Sequence, residues 1–221
     1  MTCNCRHNAM CNKAVKHDIS SELQGEFVFQ RQYSPEEYLW GLKSSKLLYI
    51  GVNPYSKKIG YNDTYSLSIL EKGPGLNSYF SVLKKWIPNL HDDIGLEGGV
   101  AHTDLVRCYS STFPLKWMKI KDFDLVFRNC RTYLRGQIEE MSKINLKFII
   151  VSGRHPCWHV LDMFFPEIIE KNKIDLKVLQ KELNGSQLNF VFLRQFMGRN
   201  DVSKVYRNRA TELLKSLEIF T

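Results

Sequence analysis

The residues best suited to chemistry in this chain are an asparagine that ends an apolar run and a crowd of cysteines near the N-terminus. In Leu47–Ser56, LLYIGVNPYS, five β-permissive residues (Leu47, Leu48, Tyr49, Ile50 and, past Gly51, Val52) run into Asn53, Pro54 and Tyr55. Gly51 and Pro54 force a turn. A turn at the carboxyl end of a central strand is where open α/β sheets place ligands and catalytic groups. Asn53 offers an acceptor and two donors without carrying charge, which suits it to hold a water or a polar base edge. The plainer reading of Asn-Pro is a turn marker and nothing more.

The chain holds six cysteines. Cys3, Cys5 and Cys11 make C-x-C-x5-C in a polar segment with little to pack, Cys108 and Cys130 lie far from them, and Cys157 stands alone after an apolar run. In an intracellular chain such crowding points to metal or cluster chemistry ahead of disulfides. C-x-C-x5-C matches no standard zinc pattern. Cys130 also falls on the apolar side of a helical pattern, where a buried core thiol is the simpler account.

Composition bounds the partners. The 221 residues are 43% hydrophobic and 12% aromatic, which indicates a globular chain, most simply a single domain over 1–221 with residues 1–17 as its cysteine-rich N-terminal segment. No apolar run approaches a membrane span, and MTCNCRHNAMCNK has no stretch like a secretion signal, so a soluble intracellular monomer is expected. Lys and Arg number 31 against 23 Asp and Glu, a formal charge of +8. That excess favours a polyanionic partner, nucleic acid above all.

Four strands are expected, at 46–52, 100–107, 147–151 and 189–193. Helices are expected at 34–43 (Ser34 as N-cap, Pro35 at the first position), 76–86, 123–141, near 156–165 and at about 202–217, with loops at 55–75 and 109–121. The stretch after residue 165 reads as basic and weakly ordered. Strands alternating with helices imply a three-layer αβα sandwich around a central, mostly parallel four-stranded sheet. The loops that follow its strands, carrying GVNPYS, the residues from Cys108 on, SGRHP and RQFMGRN, then converge on one rim.

Together these segments resemble the uracil-DNA glycosylase superfamily over most of residues 47–215, in order. GVNPYS is similar to its first catalytic motif, the Asn-Pro resembling the mismatch-specific and single-strand-selective branches and the Pro-Tyr the classical one. TDLVRC (Thr103–Cys108), Asn129-Cys130, and Tyr133-Leu134 followed by Gln137-Ile138 resemble the iron–sulfur branch, often called family 4. There, two N-terminal cysteines, a VKC or VRC cysteine and a later cysteine before Tyr-Leu hold a [4Fe-4S] cluster. FIIVSG fits that branch's third strand. The chain departs from the pattern at four points. Its N-terminal cysteines are not a C-x-x-C pair, and the interval from Cys108 to Cys130 is longer than usual. Gln195-Phe196-Met197 stands where a His-Pro-Ser-like motif is expected, and Asp104 stands where the branch has a uracil-reading Asn.

The resemblance implies a monofunctional DNA glycosylase that flips uracil or another deaminated base out of DNA and hydrolyses its N-glycosidic bond. Asn53 would position the water, and Gln195 would hydrogen-bond the departing base without the cationic form of a histidine. Gly51, Tyr55, Asn77, Phe80 (or Tyr79) and Asp104 would form the base pocket. Met197, with Phe196, would wedge the vacated stack, and Arg199, with Lys204, Arg207 and Arg209, would grip phosphates. Each has a plainer alternative: Tyr55 packing in its turn, Asn77 capping a helix, Phe80 in the core, Asp104 in a salt bridge, the C-terminal charges facing solvent. Cys108 and Cys130, with Cys5 and Cys11 (Cys3 as substitute), would ligate the cluster, zinc being the alternative metal. Two readings remain beside the enzyme: a catalytically weak or inert DNA-binding member of the same fold, and a zinc-stabilised nucleic-acid-binding module.

Overall fold

A computed structural model describes residues 27–28, 39–52, 81–95, 99–106, 109–110, 120–194, 203–217 and 219. Its elements are β1 (Phe27–Val28), β2 (Leu47–Gly51), α1 (Ser81–Trp86), α2 (Pro88–Asp92), β3 (Val100–Asp104), β4 (Tyr109–Ser110), α3 (Ile120–Ser142), β5 (Phe148–Ser152), α4 (Arg154–Phe164), a 3-10 turn at Lys171–Lys173, β6 (Lys177–Leu183), β7 (Ser186–Leu193) and α5 (Lys204–Ser216). Five strands form one sheet in the order β3-β2-β5-β7-β6. β2 pairs in parallel with β3 and β5, β5 in parallel with β7, and β6 lies antiparallel on β7.

Every residue of β2 and β3 is buried, the pattern of strands covered on both faces. Side chains alternate between two cores. Leu48, Ile50, Ile149, Val151, Phe190 and Phe192 meet the apolar sides of α3 and α4. Leu47, Tyr49, Ile150, Val191 and Leu193 meet Leu83 of α1, Leu90 of α2, and Ala210 and Leu214 of α5. The result is a mixed α/β fold with a mostly parallel sheet between helices. Each fully buried large side chain contributes about 1.5–3 kcal/mol relative to exposure.

The sheet has five strands where the residues led us to expect four, because the stretch after residue 165 holds β6. The turn that makes it is Asn184-Gly185, with φ of +52° and +76°. Positive φ at both central positions is the hairpin turn whose twist matches the flanking strands, and Asn-Gly is its favoured sequence. A second correction concerns 34–43. In its described part, Trp40 is not helical but exchanges backbone hydrogen bonds with His102, donating at 2.8 Å and accepting at 2.6 Å. Gly41, at φ +107°, then lets the chain pass close to Gly95 and Val100. In the expected 109–121 loop, Tyr109–Ser110 pairs antiparallel with Phe27–Val28. Ser81–Trp86 is helical as expected, and Pro88 then starts a separate short helix.

The other elements match their expected positions to within a few residues. Ser203 caps α5, its hydroxyl accepting from the Tyr206 N–H at 3.1 Å.

Two glycines give a paired test of the backbone argument, since a Cβ at Gly136 or Gly185 meets nothing within 4 Å. Gly185→Ala should destabilise by about 1 kcal/mol, because an L side chain resists the left-handed conformation. Gly136→Ala, inside α3, should stabilise by roughly 0.5–1 kcal/mol. Urea unfolding of both variants checks the signs, and equal shifts would contradict the turn geometry.

Candidate functional site

From β2 the chain crosses to β3 on one side, then returns to enter β5 on the other. The carboxyl ends of β2 and β5 are therefore the switch point of the sheet, where crevices form in open α/β folds. Here the two strand ends touch: a Cβ on Gly153 would stand 3.0 Å from Val52 Cγ2. Beyond β3 the chain stays alongside β2, with the Leu105 N–H donating to Gly51 O at 3.0 Å and the Val106 N–H to Val52 O at 2.8 Å. The described parts of GVNPYS and TDLVRC thus run side by side, and Gly51 lies directly opposite Asp104.

Five residues share the sheet face at this end. Tyr49 and Gly51 alternate with the α3/α4-facing residues on β2, His102 and Asp104 do so on β3, and Ser152 on β5. Asp104 is 1% exposed and His102 2%, with His102 Nε2 3.8 Å from Asp104 Oδ1. The His102 ring stacks on Tyr49 at 5.6 Å and 22°, and Trp40 tilts against it at 5.3 Å. Burial raises the Tyr49 phenol well above its ordinary range, while the neighbouring Ser152 hydroxyl works the other way and Asp104 and Cys157 add to the rise. Tyr49 therefore stays a neutral O–H. Tyr49 is 0% and Ser152 1% exposed, and their hydroxyls face each other, with no further partner among the described residues. A buried pair of hydroxyls beside the buried Asp104 marks a place organised around polar chemistry rather than packing.

Of the residues singled out in the sequence, the fold brings Gly51 and Asp104 together. Asn53, Tyr55, Asn77, Phe80, Gln195, Met197, Arg199, Cys5, Cys11 and Cys108 lie outside the described residues. Cys130 is 5% exposed, in the same core cluster as Leu105 and Val106, which lead toward Cys108. Among the described residues no three His, Cys, Asp or Glu side chains are grouped to hold a metal ion. Cys157 is buried, its thiol pushed up by burial and donating to Val151 O at 3.4 Å. Tyr49, His102 and Ser152 escaped the sequence reading, although His102 and Asp104, two apart in one strand, had to share a face.

No family model matches the chain, and no curated protein matches it. Among the described residues no helix is long and apolar enough to cross a membrane.

A second titratable cluster lies between α3 and α4. Arg131 donates Nε–H to His159 Nδ1 at 2.7 Å and Nη2–H to Asp162 Oδ2 at 2.7 Å, and Lys171 also pairs with Asp162. Asp124 Oδ1 is 3.9 Å from His159 Nε2. Burial, then the Arg131 charge, hold the His159 imidazole down at about 3 against the Asp162 carboxylate, which opposes them. Burial and Arg154 lower His155 in the same direction.

Tyr49→Phe keeps the ring packing and removes the hydroxyl that faces Ser152, leaving the Ser152 hydroxyl without its partner. Urea unfolding should show a loss of about 1 kcal/mol, and a variant as stable as the wild type would mean that the two hydroxyls do not bond. For His159, the unfolded chain takes up a proton near the ordinary value of 6.5 that the folded chain refuses, so stability falls as pH drops from about 6.5 toward about 3. Between pH 7 and 4.5 the wild type should lose on the order of 2 kcal/mol more than His159→Gln in urea unfolding. Equal losses would show that the folded imidazole accepts the proton freely.

Proposed function

We propose that the chain is a DNA glycosylase that hydrolyses the N-glycosidic bond of uracil or another deaminated base, acting as an intracellular monomer without cutting the strand. The observation that carries this reading is the pairing of Gly51 with Asp104 at the switch point, beside the two buried hydroxyls of Tyr49 and Ser152. Asn53 follows Val52 directly in the chain, so the residue suited to hold a water leaves β2 next to a buried acceptor. Asp104 accepts from the N3–H of a flipped base, and the neutral Tyr49 hydroxyl supplies the donor that a carboxylate lacks. Gln195 bonds the departing base and Tyr55 walls the pocket. Asn77 and Phe80 complete its lining, and Met197 and Arg199 engage the DNA.

Cys5, Cys11, Cys108 and Cys130 hold a [4Fe-4S] cluster in this reading. When bound, such a group staples the N-terminal segment against β3 and α3 without redox change. The buried placement of Cys130 supports it.

One observation favours a second reading, a DNA-binding member of the same fold with little turnover. Asp104 is buried at the switch point, and a carboxylate beside the departing base would oppose the negative charge that grows on it.

The deciding experiment incubates the protein with oligonucleotides carrying uracil, hypoxanthine or xanthine, followed by alkaline cleavage. Product is expected from at least one lesion, with Asn53→Ala slower by roughly 100-fold or more. No product at enzyme excess overturns the enzymatic reading. Asp104→Asn separates the two: faster uracil release means the carboxylate opposes the anion, slower release means it reads N3–H. Anaerobically purified protein should be brown with absorbance near 400 nm, fading in Cys130→Ser, whereas a zinc protein is colourless.

A further inference from the structure

Side chains fasten the edge strand β6 at both ends. The two non-glycine residues with positive φ among the described residues stand there, Leu176 (φ +55°) before the entry and Asn184 (φ +52°) after the exit. At the entry one oxygen, Asp175 Oδ1, accepts from the Leu176 N–H at 3.1 Å, the Arg194 N–H at 3.0 Å and the Tyr206 hydroxyl at 2.7 Å. At the exit the side-chain amide of Asn184 reaches the end of α3. Its Nδ2–H donates to Glu139 O at 3.0 Å and to Ser142 Oγ at 2.9 Å. Beside it the Ser186 hydroxyl donates to Ser142 O at 2.9 Å. The last turn of α3 holds no basic residue, so these donors from the hairpin serve carbonyls that a helix end leaves open.

The two fasteners differ chemically. Asp175 is already an acid, whereas Asn184 is an amide followed by glycine, in the one Asn-Gly pair of the sequence. Asn184 and Gly185 are both exposed, and a Cβ at Gly185 would meet nothing within 4 Å. Water therefore reaches the pair, and nothing crowds the glycine.

We propose that Asn184 is a site of spontaneous deamidation, and that the reaction unfastens the exit of β6 from α3. The Gly185 nitrogen attacks Asn184 Cγ. A bond from that nitrogen to Cγ forms, the Cγ–Nδ2 bond breaks, and ammonia leaves with the proton of the Gly185 N–H. Water then opens the resulting succinimide at either carbonyl, leaving aspartate or isoaspartate at position 184. A glycine on the attacking side has no Cβ to obstruct the approach. The docked amide is held back, because its leaving nitrogen is bonded to Glu139 and Ser142. The reaction thus draws on moments when the hairpin tip lifts from α3.

The product does not redock as before. A carboxylate can accept from the Ser142 hydroxyl but offers Glu139 O no donor, and it sets negative charge at the negative end of the α3 dipole. Isoaspartate also adds a methylene to the backbone of a two-residue turn, which strains the pairing of Leu183 with Ser186. The change runs one way, and it does not depend on the base-excision reading.

The test ages the folded protein at mildly alkaline pH, with the urea-unfolded chain beside it, and follows each asparagine by peptide mass spectrometry. Asn184 should gain the amide-to-acid mass increment ahead of Asn145, Asn172, Asn189 and Asn208, which precede Leu, Lys, Phe and Arg. Folded protein should convert more slowly than the unfolded chain. Ser142→Ala, which takes one acceptor from the docked amide, should convert several-fold faster than the folded wild type. Asn184→Gln should keep its amide, since the longer side chain closes a ring far more slowly. Aged protein and Asn184→Asp should both show faster hydrogen exchange at the Leu183–Ser186 end of the ladder. The Lys177–Phe192 end, next to Asp175, should exchange as in the wild type. A folded Asn184 that keeps its amide while the unfolded chain converts overturns the site, as does another asparagine converting as fast. Equal rates in Ser142→Ala and wild type, or unchanged exchange in Asn184→Asp, overturn the fastening by α3.

Discussion

A sheet buried on both faces can satisfy its backbone polar groups only within itself, and that constraint organises the rest of the molecule. β2 lies second from one edge, paired on both sides and covered by helices on both faces, so none of its five residues reaches solvent. Polar side chains that enter such a strand can find a use only where the pairing ends. Tyr49 and His102 stand in the middle of their strands and Asp104 and Ser152 at the carboxyl ends of theirs, all on one face. The opposite face at the same level is occupied by Ile50, Val151 and Phe192, which pack on α3 and α4.

The electrostatics follow the same division. Between α3 and α4 the charges are consumed internally, Asp162 serving both Arg131 and Lys171 while a histidine is held neutral beside them. That layer is built for cohesion. Around α1 and the start of α4, Lys85 and Arg154 rest on aromatic faces and form no ion pair among the described residues. Cation–π contacts hold a charge in place without neutralising it, so they position positive charge that remains available to a partner.

Much of the sandwich was legible because both-face burial writes continuous apolar runs: LLYI, FIIV and NFVFL announce strands whatever their neighbours. β6 did not, because an edge strand is buried on only part of one face. Its KVLQKEL carries charges that guard the edge and blur the period. The local signal was present all the same in Asn184-Gly185. Trp40 misled for the opposite reason: SPEEYLWGLK has a good helix start, but the backbone pairing with His102 that overrides it is long-range. At the site, Gly51 and Asp104 could be picked out by their place after apolar runs, and parallel pairing set them face to face. The hydroxyls of Tyr49 and Ser152 were hidden, since a tyrosine or serine inside an apolar run reads as strand.

Asp175 has a further consequence. One of its oxygens takes the N–H of Leu176, the N–H of Arg194 and the hydroxyl of Tyr206. The chain thus leaves β7 and settles into α5 against the same atom, like a necklace fastened by a single clasp. A carboxylate oxygen that accepts three hydrogen bonds is hard to replace, since an amide at this position would offer a weaker, uncharged acceptor. Loosening that oxygen would free the end of β7 and the start of α5 at once, so two elements far apart in sequence depend on one atom that belongs to neither.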